Sequence, residues 1–270
     1  MQVIAHIFYY FFITSVAYGA VHISSLEDLI PDLTPKSCVF FDLDETLVYP
    51  KNSQIFRKGL DEALDEYKEK NKFNALAYLN LPQRKQQFCT EIMAKTQFDL
   101  IEKENLLKIY QLSLKNSFHI FGLTARGGSC MVQATQNSFA QIQLTDDSHA
   151  KPIYLNEIFT QGKVDKKKLH NFHQGITYTD RGPKGEYLSH FLTQYPNLCD
   201  RVLFVDDNPN YVSSVEGIQK SFPQVTSYHY MGYEKTVPTY VKEFQKIQLE
   251  HFFSKGKFLS DEETFSLINN

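Results

Sequence analysis

The sequence predicts an α/β fold built on a parallel sheet, and three observations predict it. Short apolar runs at 38–41, 118–123 and 202–205 read as buried strands. Stretches with helical periodicity separate them. Each run leads directly into polar or acidic residues, which in such sheets is where ligands sit.

The first segment is apolar. From residue 3 to residue 21 there is no Asp, Glu, Lys or Arg, and the centre of the run is Ile7-Phe8-Tyr9-Tyr10-Phe11-Phe12-Ile13. It ends in Ala17-Tyr18-Gly19-Ala20, small residues around Tyr18, which reads as a secretory signal cleaved after Gly19 or Ala20. The only positive groups ahead of the run are the amine and His6, so an uncleaved anchor or a buried helix stands as the alternative. No second apolar stretch approaches the ~20 residues a span needs. The expectation is an exported protein with no stable membrane insertion after cleavage.

Cys38-Val39-Phe40-Phe41 reads as a buried parallel strand ending in Asp42. After Pro50 the character changes. Residues 54–115 hold one Pro, one Gly and many Lys, Glu, Gln, Leu and Ala. Leu60, Leu64 and Tyr67 recur at helical spacing, as do Phe98, Ile101, Leu106 and Ile109. This predicts a block of several helices, broken near Leu81-Pro82.

A second strand at 118–123 follows, then the turn Arg126-Gly127-Gly128-Ser129 and a helix to about Phe139. Residues 153–164 are mixed. Ile176-Thr177-Tyr178-Thr179 is a short strand, 185–195 a helix, and Val202-Leu203-Phe204-Val205 a strand ending in Asp206-Asp207. A helix at 210–220, an alternating strand at 225–230 and a helical end from 237 complete the chain.

Composition bounds the function. The 270 residues are 42% hydrophobic and 22% charged, enough for one catalytic domain with a large insertion or for two small domains. Formal charge is 28 − 31 = −3, and no basic face or stripe marks a nucleic-acid partner. Lys166-Lys167-Lys168 reads as a solvated helix start. Cys38, Cys89, Cys130 and Cys199 have no CxxC spacing, which argues against a zinc site or a redox motif. Disulfides in an exported protein and four buried small hydrophobes both remain open. His170 and His173, three apart, could share a helix face and are read as structural.

Four strand-end features carry chemistry: Asp42-Leu43-Asp44-Glu45-Thr46, Thr124, Lys184 and Asp206-Asp207. On parallel strands all four converge on one crevice. Four carboxylates there repel and need relief. A divalent cation and Lys184 supply it, −4 + 2 + 1 = −1. Oxygen-only ligands favour Mg²⁺. Mg²⁺, an ammonium and a hydroxyl suit phosphate oxygens, and a carboxylate in line with phosphorus can attack it.

This set resembles the haloacid dehalogenase-like superfamily. Its first motif matches Phe40-Phe41-Asp42-Leu43-Asp44-Glu45-Thr46-Leu47, its second Thr124, its third Lys184 and its fourth Val205-Asp206-Asp207, in the right order across residues 38 to about 210. The layout is also similar to a poorly characterised bacterial branch known chiefly as a domain of unknown function. There a Gly-Ile strand precedes Lys-Gly, as Gly175-Ile176 precedes Lys184-Gly185, and a C-terminal Leu259-Ser260-Asp261-Glu262-Glu263 fits too.

The resemblance implies a Rossmann-like parallel sheet flanked by helices, with a helical cap inserted after the first strand. Together with the N-terminal run and the helical end read above, this divides the chain into a signal segment (1–19), a catalytic core (36–53 and 116–234), a cap (54–115) and a C-terminal helical segment (235–270). The resemblance implies Asp42 as nucleophile and Asp44 as general acid and base, with the Asp44 backbone carbonyl on Mg²⁺. Thr124 would hold the transferred phosphoryl group, and Lys184 would neutralise it and orient Asp42. Asp206 and Asp207 would complete the metal shell. Asp44 followed by Thr46 points to a phosphatase or phosphomutase, and a cap to a small phosphorylated substrate. Arg126 contacts either substrate or an acidic neighbour. Two other functions stand beside this one. One is a phosphoprotein phosphatase, since Asp42 to Leu47 and Val205 to Pro209 also resemble the small C-terminal-domain phosphatases. The other is a non-catalytic exported binding module that keeps the fold.

Overall fold

The computed structural model describes residues 19–51, 60–71, 89, 93–94, 96–145, 151–160, 164–233 and 242–269. The expected signal segment up to residue 18 and the break at Leu81-Pro82 lie outside them.

A seven-stranded sheet forms the centre. Its strands are β1 (Val21–Ile23), β2 (Ser37–Phe41), β5 (His119–Thr124), β6 (Phe172–His173), β7 (Ile176–Tyr178), β8 (Arg201–Asp206) and β9 (Val225–Tyr230). Their order is β1-β9-β8-β2-β5-β7-β6. Every pairing is parallel except β6 with β7. This is a mixed α/β architecture with a mostly parallel sheet flanked by helices.

β2 lies in the middle, and all five of its residues are buried. Burial on both faces is why it reads as a continuous apolar run rather than an alternating one. Val39 and Phe41 pack with Leu106 and Ile109 of α2 (Lys103–Asn116) and with Ala134 and Phe139 of α3 (Ser129–Phe139). Cys38 and Phe40 turn the other way. They meet Leu188, Phe191 and Leu192 of α4 (Lys184–Gln194) and Val215 of α5 (Pro209–Glu216). Phe40 stacks on Phe121 and meets Phe191 edge-on, both at 5.0 Å.

The expected helical block is corrected at its end. Phe98–Leu100 is a strand, β4, paired antiparallel with β3 (Val48–Pro50). The Lys51 N–H donates to the Gln97 carbonyl at 2.8 Å and closes this stem. The insertion therefore leaves and returns between 51 and 97. The helix after it, α2, lies under the sheet as part of the core. At its start Glu102 accepts from the Ser25 hydroxyl, the Leu26 N–H, Asn105 and the Tyr230 hydroxyl. One carboxylate thus ties α2, the 3-10 helix Leu26–Asp32 and the end of β9 together.

Inside the insertion, α1 (Leu60–Asn71) forms where Leu60, Leu64 and Tyr67 recur at helical spacing. It packs against the C-terminal helix α6 (Lys242–Lys255) through the Tyr67–Phe253 ring pair at 4.7 Å, and the ion pairs Lys70–Glu250 and Lys246–Glu66 at 2.6 Å. The final helix, α7 (Asp261–Asn269), follows α6. The C-terminal segment, expected to be helical, thus forms a helix pair with the insertion through α6.

The four cysteines form two disulfides, Cys38–Cys199 and Cys89–Cys130. His170 and His173 lie on no shared helix: His173 belongs to β6, and His170 stacks against His190 at 5.7 Å. Lys166–Lys168 is one 3-10 turn capped by Asp165, close to its expected role. Among the described residues no helix is long and apolar enough to cross a membrane.

Candidate metal centre

The chain runs from β2 to β5 on one side and from β8 to β9 on the other, so β2 and β8 are neighbours whose connections diverge. The carboxyl ends of such a pair flank the natural crevice of an open parallel sheet. Asp42 follows β2, with its N–H donating to the Val205 carbonyl at 2.9 Å, and Asp206 ends β8. Asp42 keeps the phase of Phe40, and Asp206 that of Phe204, so both carboxylates fall on the α4 side.

Lys184, the first residue of α4, is fully buried there. Its ammonium donates to Asp42 Oδ1, and to Asp206 Oδ2 at 2.6 Å. Tyr211 of α5 lies over it at 4.7 Å. α4 comes this close because residue 185 is glycine: a Cβ there would stand 2.1 Å from the Ser214 carbonyl of α5. The Lys-Gly pair in the sequence therefore has a packing cause.

Asp206 Oδ1 accepts from the Asn208 N–H at 2.9 Å, and Asn208 in turn caps α5. Asp207 is held by Thr46, whose hydroxyl accepts from the Asp207 N–H at 3.1 Å and donates to Oδ1 at 3.3 Å. His229 Nε2 donates to the Asp207 carbonyl at 2.9 Å, since a carbonyl can only accept. A cavity of about 430 Å³ opens beside Asp207 and is also lined by Glu45, Asn208, His229 and Tyr230.

Asp42, Asp206 and Asp207 each offer a carboxylate oxygen within 4.8 Å of the others. Burial pushes Asp42 up to about 7, against the pull of Lys184 and with help from Asp206 and Asp44. Burial also raises Asp206 and Asp207, with Asp42 adding to the effect on Asp207. Burial alone would lower Lys184, but Asp42 and Asp206 outweigh it and hold it above its ordinary value. Three carboxylates and one ammonium leave −3 + 1 = −2, which one divalent cation neutralises. Three carboxylates with no Cys or His among them form the all-oxygen donor set that suits Mg²⁺.

Asp44 is not in this cluster. It sits on the turn after β2, and both its oxygens accept from Arg126: Nε to Oδ2 at 2.9 Å and Nη2 to Oδ1 at 2.6 Å. Arg126 thus meets an acidic neighbour, one of the two partners its position allowed. The charge sum loses Asp44 for the same reason. Thr124 is buried at the end of β5, and its hydroxyl accepts from the Arg126 N–H at 3.2 Å. Thr46 had a place in the sequence motif but no role. His229 had no sequence signal at all, because it follows the acidic motifs by a whole strand.

A family model described as "Protein of unknown function (DUF2608)" matches residues 20–265. No curated protein and no solved structure matches the chain.

Proposed function

We propose that this chain, which belongs to the DUF2608 family of proteins of unknown function, is a divalent-cation-dependent phosphohydrolase of the haloacid dehalogenase-like type. The observation that carries this reading is the buried Asp42–Lys184–Asp206 arrangement, with Asp207 beside it, at the diverging ends of β2 and β8. Asp42, Asp206 and Asp207 would hold Mg²⁺, which when bound supplies charge neutralisation for the phosphoryl oxygens.

Asp42 attacks phosphorus, the ester P–O bond breaks, and the leaving oxygen takes a proton from Asp44. Asp44 then takes a proton from water, whose oxygen attacks the aspartyl-phosphate. The acyl-phosphate P–O bond breaks, releasing inorganic phosphate and the Asp42 carboxylate. Lys184 keeps Asp42 oriented and offsets charge throughout. Thr124 presents a hydroxyl at the end of the neighbouring strand. We read the sheet as a Rossmann-like core and the insertion on the β3–β4 stem as a cap that favours small phosphate esters.

Export belongs to the same reading. Two disulfides support an oxidising compartment, and an intact mass of protein from the native host that still includes residues 1–19 would reject cleavage.

Turnover of p-nitrophenyl phosphate with Mg²⁺, and its loss in EDTA, tests the activity. Asp42→Asn should abolish turnover with an unchanged circular dichroism spectrum. Full activity in that variant would sink the nucleophile assignment. Release of phosphate from phosphopeptides alone would favour the phosphoprotein reading.

A further inference from the structure

Arg126 is the residue the expected chemistry leaves unexplained. It is buried, its guanidinium always carries charge, and it faces no metal ligand as its main partner. Its fork grips both oxygens of Asp44. The remaining nitrogen, Nη1, donates to Thr135 Oγ1 on α3 at 2.8 Å, and that hydroxyl donates on to the Met131 carbonyl at 2.7 Å. The guanidinium lies over the rings of Phe98 at 5.0 Å and Phe139 at 5.8 Å. Thr135 and Phe139 are fixed by α3, and Phe98 by β4.

The backbone of the same residue does a second job. Its N–H holds the Thr124 hydroxyl, and its carbonyl accepts from the Asp180 N–H at 3.1 Å. The turn can lie this close to Asp180 because residue 127 is glycine: a Cβ there would sit 2.3 Å from the Asp180 Cβ. One residue therefore sets both the strand-end hydroxyl of β5 and the carboxylate of the β2 turn.

Asp44 needs such a device. Its side chain is 48% exposed, and no other hydrogen bond to it is seen among the described residues. Alone, a half-exposed aspartate would sample several rotamers. The fork uses one lone-pair direction on each oxygen and leaves the other free for a proton. Orientation is thus fixed while reactivity is retained.

We propose that Arg126 is the positioning residue for Asp44, aiming its carboxylate for proton transfer while itself locked by Thr135, Phe98 and Phe139. This rests on the phosphohydrolase reading and deepens it. A misplacement of about 1 Å in such a group can cost about 10²-fold in rate.

The test measures kcat and KM on an aryl phosphate with saturating Mg²⁺. Arg126→Ala should lower kcat by about 10²-fold and leave KM nearly unchanged. Arg126→Lys should not restore it, because a single ammonium cannot bridge two oxygens. Added guanidinium chloride, far below denaturing concentration, should rescue Arg126→Ala. In an Asp44→Asn background Arg126→Ala should cause no further drop. Thr135→Val, which removes only the outer tether, should lower kcat several-fold in a folded protein, and it carries the test if Arg126→Ala fails to fold. An equal drop in both Asp44 backgrounds, or an unchanged kcat in Thr135→Val, would overturn the assignment and leave the phosphohydrolase reading standing. No turnover of any phosphate ester by the unaltered protein would overturn both.

Discussion

Thr46 and Asp207 stand 161 residues apart and exchange two hydrogen bonds, one through the Asp207 backbone and one through its carboxylate. Thr46 is fully buried, while Asp207 is half-buried beside the cavity. Thr46→Val keeps the shape and removes both bonds. Mg²⁺ affinity should then fall by about 10–100-fold, the usual cost of losing a group that orients a metal ligand. Calorimetric titration of Mg²⁺ checks this. An unchanged affinity would mean that Asp207 is not a ligand or is held without Thr46.

Lys184 is the only cation in contact with Asp42 and Asp206 among the described residues. Lys184→Met keeps most of the volume and strands two buried carboxylates. Breaking a buried pair in this way costs about 3–5 kcal/mol. Urea unfolding in EDTA should show that loss, and saturating Mg²⁺ should recover part of it. A variant as stable as the parent in EDTA would contradict the arrangement.

The acidic cluster also sets a pH dependence. Burial raises Asp42 from 3.8 to about 7 in the folded state. Folded protein therefore keeps a proton that the unfolded chain has released. The stability from this group is full below the unfolded value and is lost as pH rises through about 7. Asp206 and Asp207 move in the same direction. Without divalent metal, Tm should fall from pH 5 to pH 8, and Asp42→Asn should flatten that slope. Mg²⁺ displaces the same protons, so the gap between Mg²⁺ and EDTA curves should widen as pH rises. A gap that narrows would exclude these carboxylates as the Mg²⁺ site.

Much of this centre was legible in the sequence because buried parallel strands announce their ends. Apolar runs stop at Asp42, Thr124 and Asp206, and the sheet brings those ends to one edge. The β3–β4 stem was not legible. Phe98 and Ile101 stand at helical spacing, yet Phe98 is in a three-residue strand, and so short a strand leaves no period to read. Leu106 and Ile109 did mark a helix, but periodicity does not say what a helix packs against. The partner of Arg126 stayed open because its place beside a strand end suits a substrate as well as an acidic neighbour. β1 and β6, three and two residues long, are defined by their neighbours rather than by their own sequence.

The disulfides separate in their expected effects. Cys38–Cys199 spans 161 residues and joins the start of β2 to the residues before β8. Cys89–Cys130 spans 41 and joins the insertion to the first turn of α3. Loop-closure entropy gives about 5 kcal/mol for the first and about 4 for the second, as upper values. Double Cys→Ser replacement of the first pair should lower stability with kcat kept at permissive temperature. Replacement of the second should change KM as well, because it frees the insertion from the first turn of α3. Equal KM in both variants would remove the insertion from substrate binding.

The last prediction concerns where the insertion can be cut. Replacing 54–115 by a Gly/Ser linker would remove β4, and with it Phe98 beneath Arg126. It would also remove Glu102, which joins three elements, and Leu106 and Ile109, which lie under the sheet. Losing each buried Leu or Ile side chain costs about 2–5 kcal/mol, against a total of about 5–15 kcal/mol for an ordinary domain. That deletion should not fold. A cut at 52–96 leaves the Lys51–Gln97 closure and the β3–β4 stem intact. It removes α1, so Leu249 and Phe253 of α6 lose the Tyr67 side they face, and Cys130 loses its mate. The shorter cut therefore needs Cys130→Ser and removal of residues 242–270. This core should run as a single species on gel filtration, bind Mg²⁺, and lose discrimination among small phosphate esters. If the 54–115 replacement instead unfolded cooperatively and bound Mg²⁺ like the full chain, α2 would not be part of the core. If the shorter cut kept the full substrate preference, selectivity would reside in the rim of the sheet rather than in the insertion.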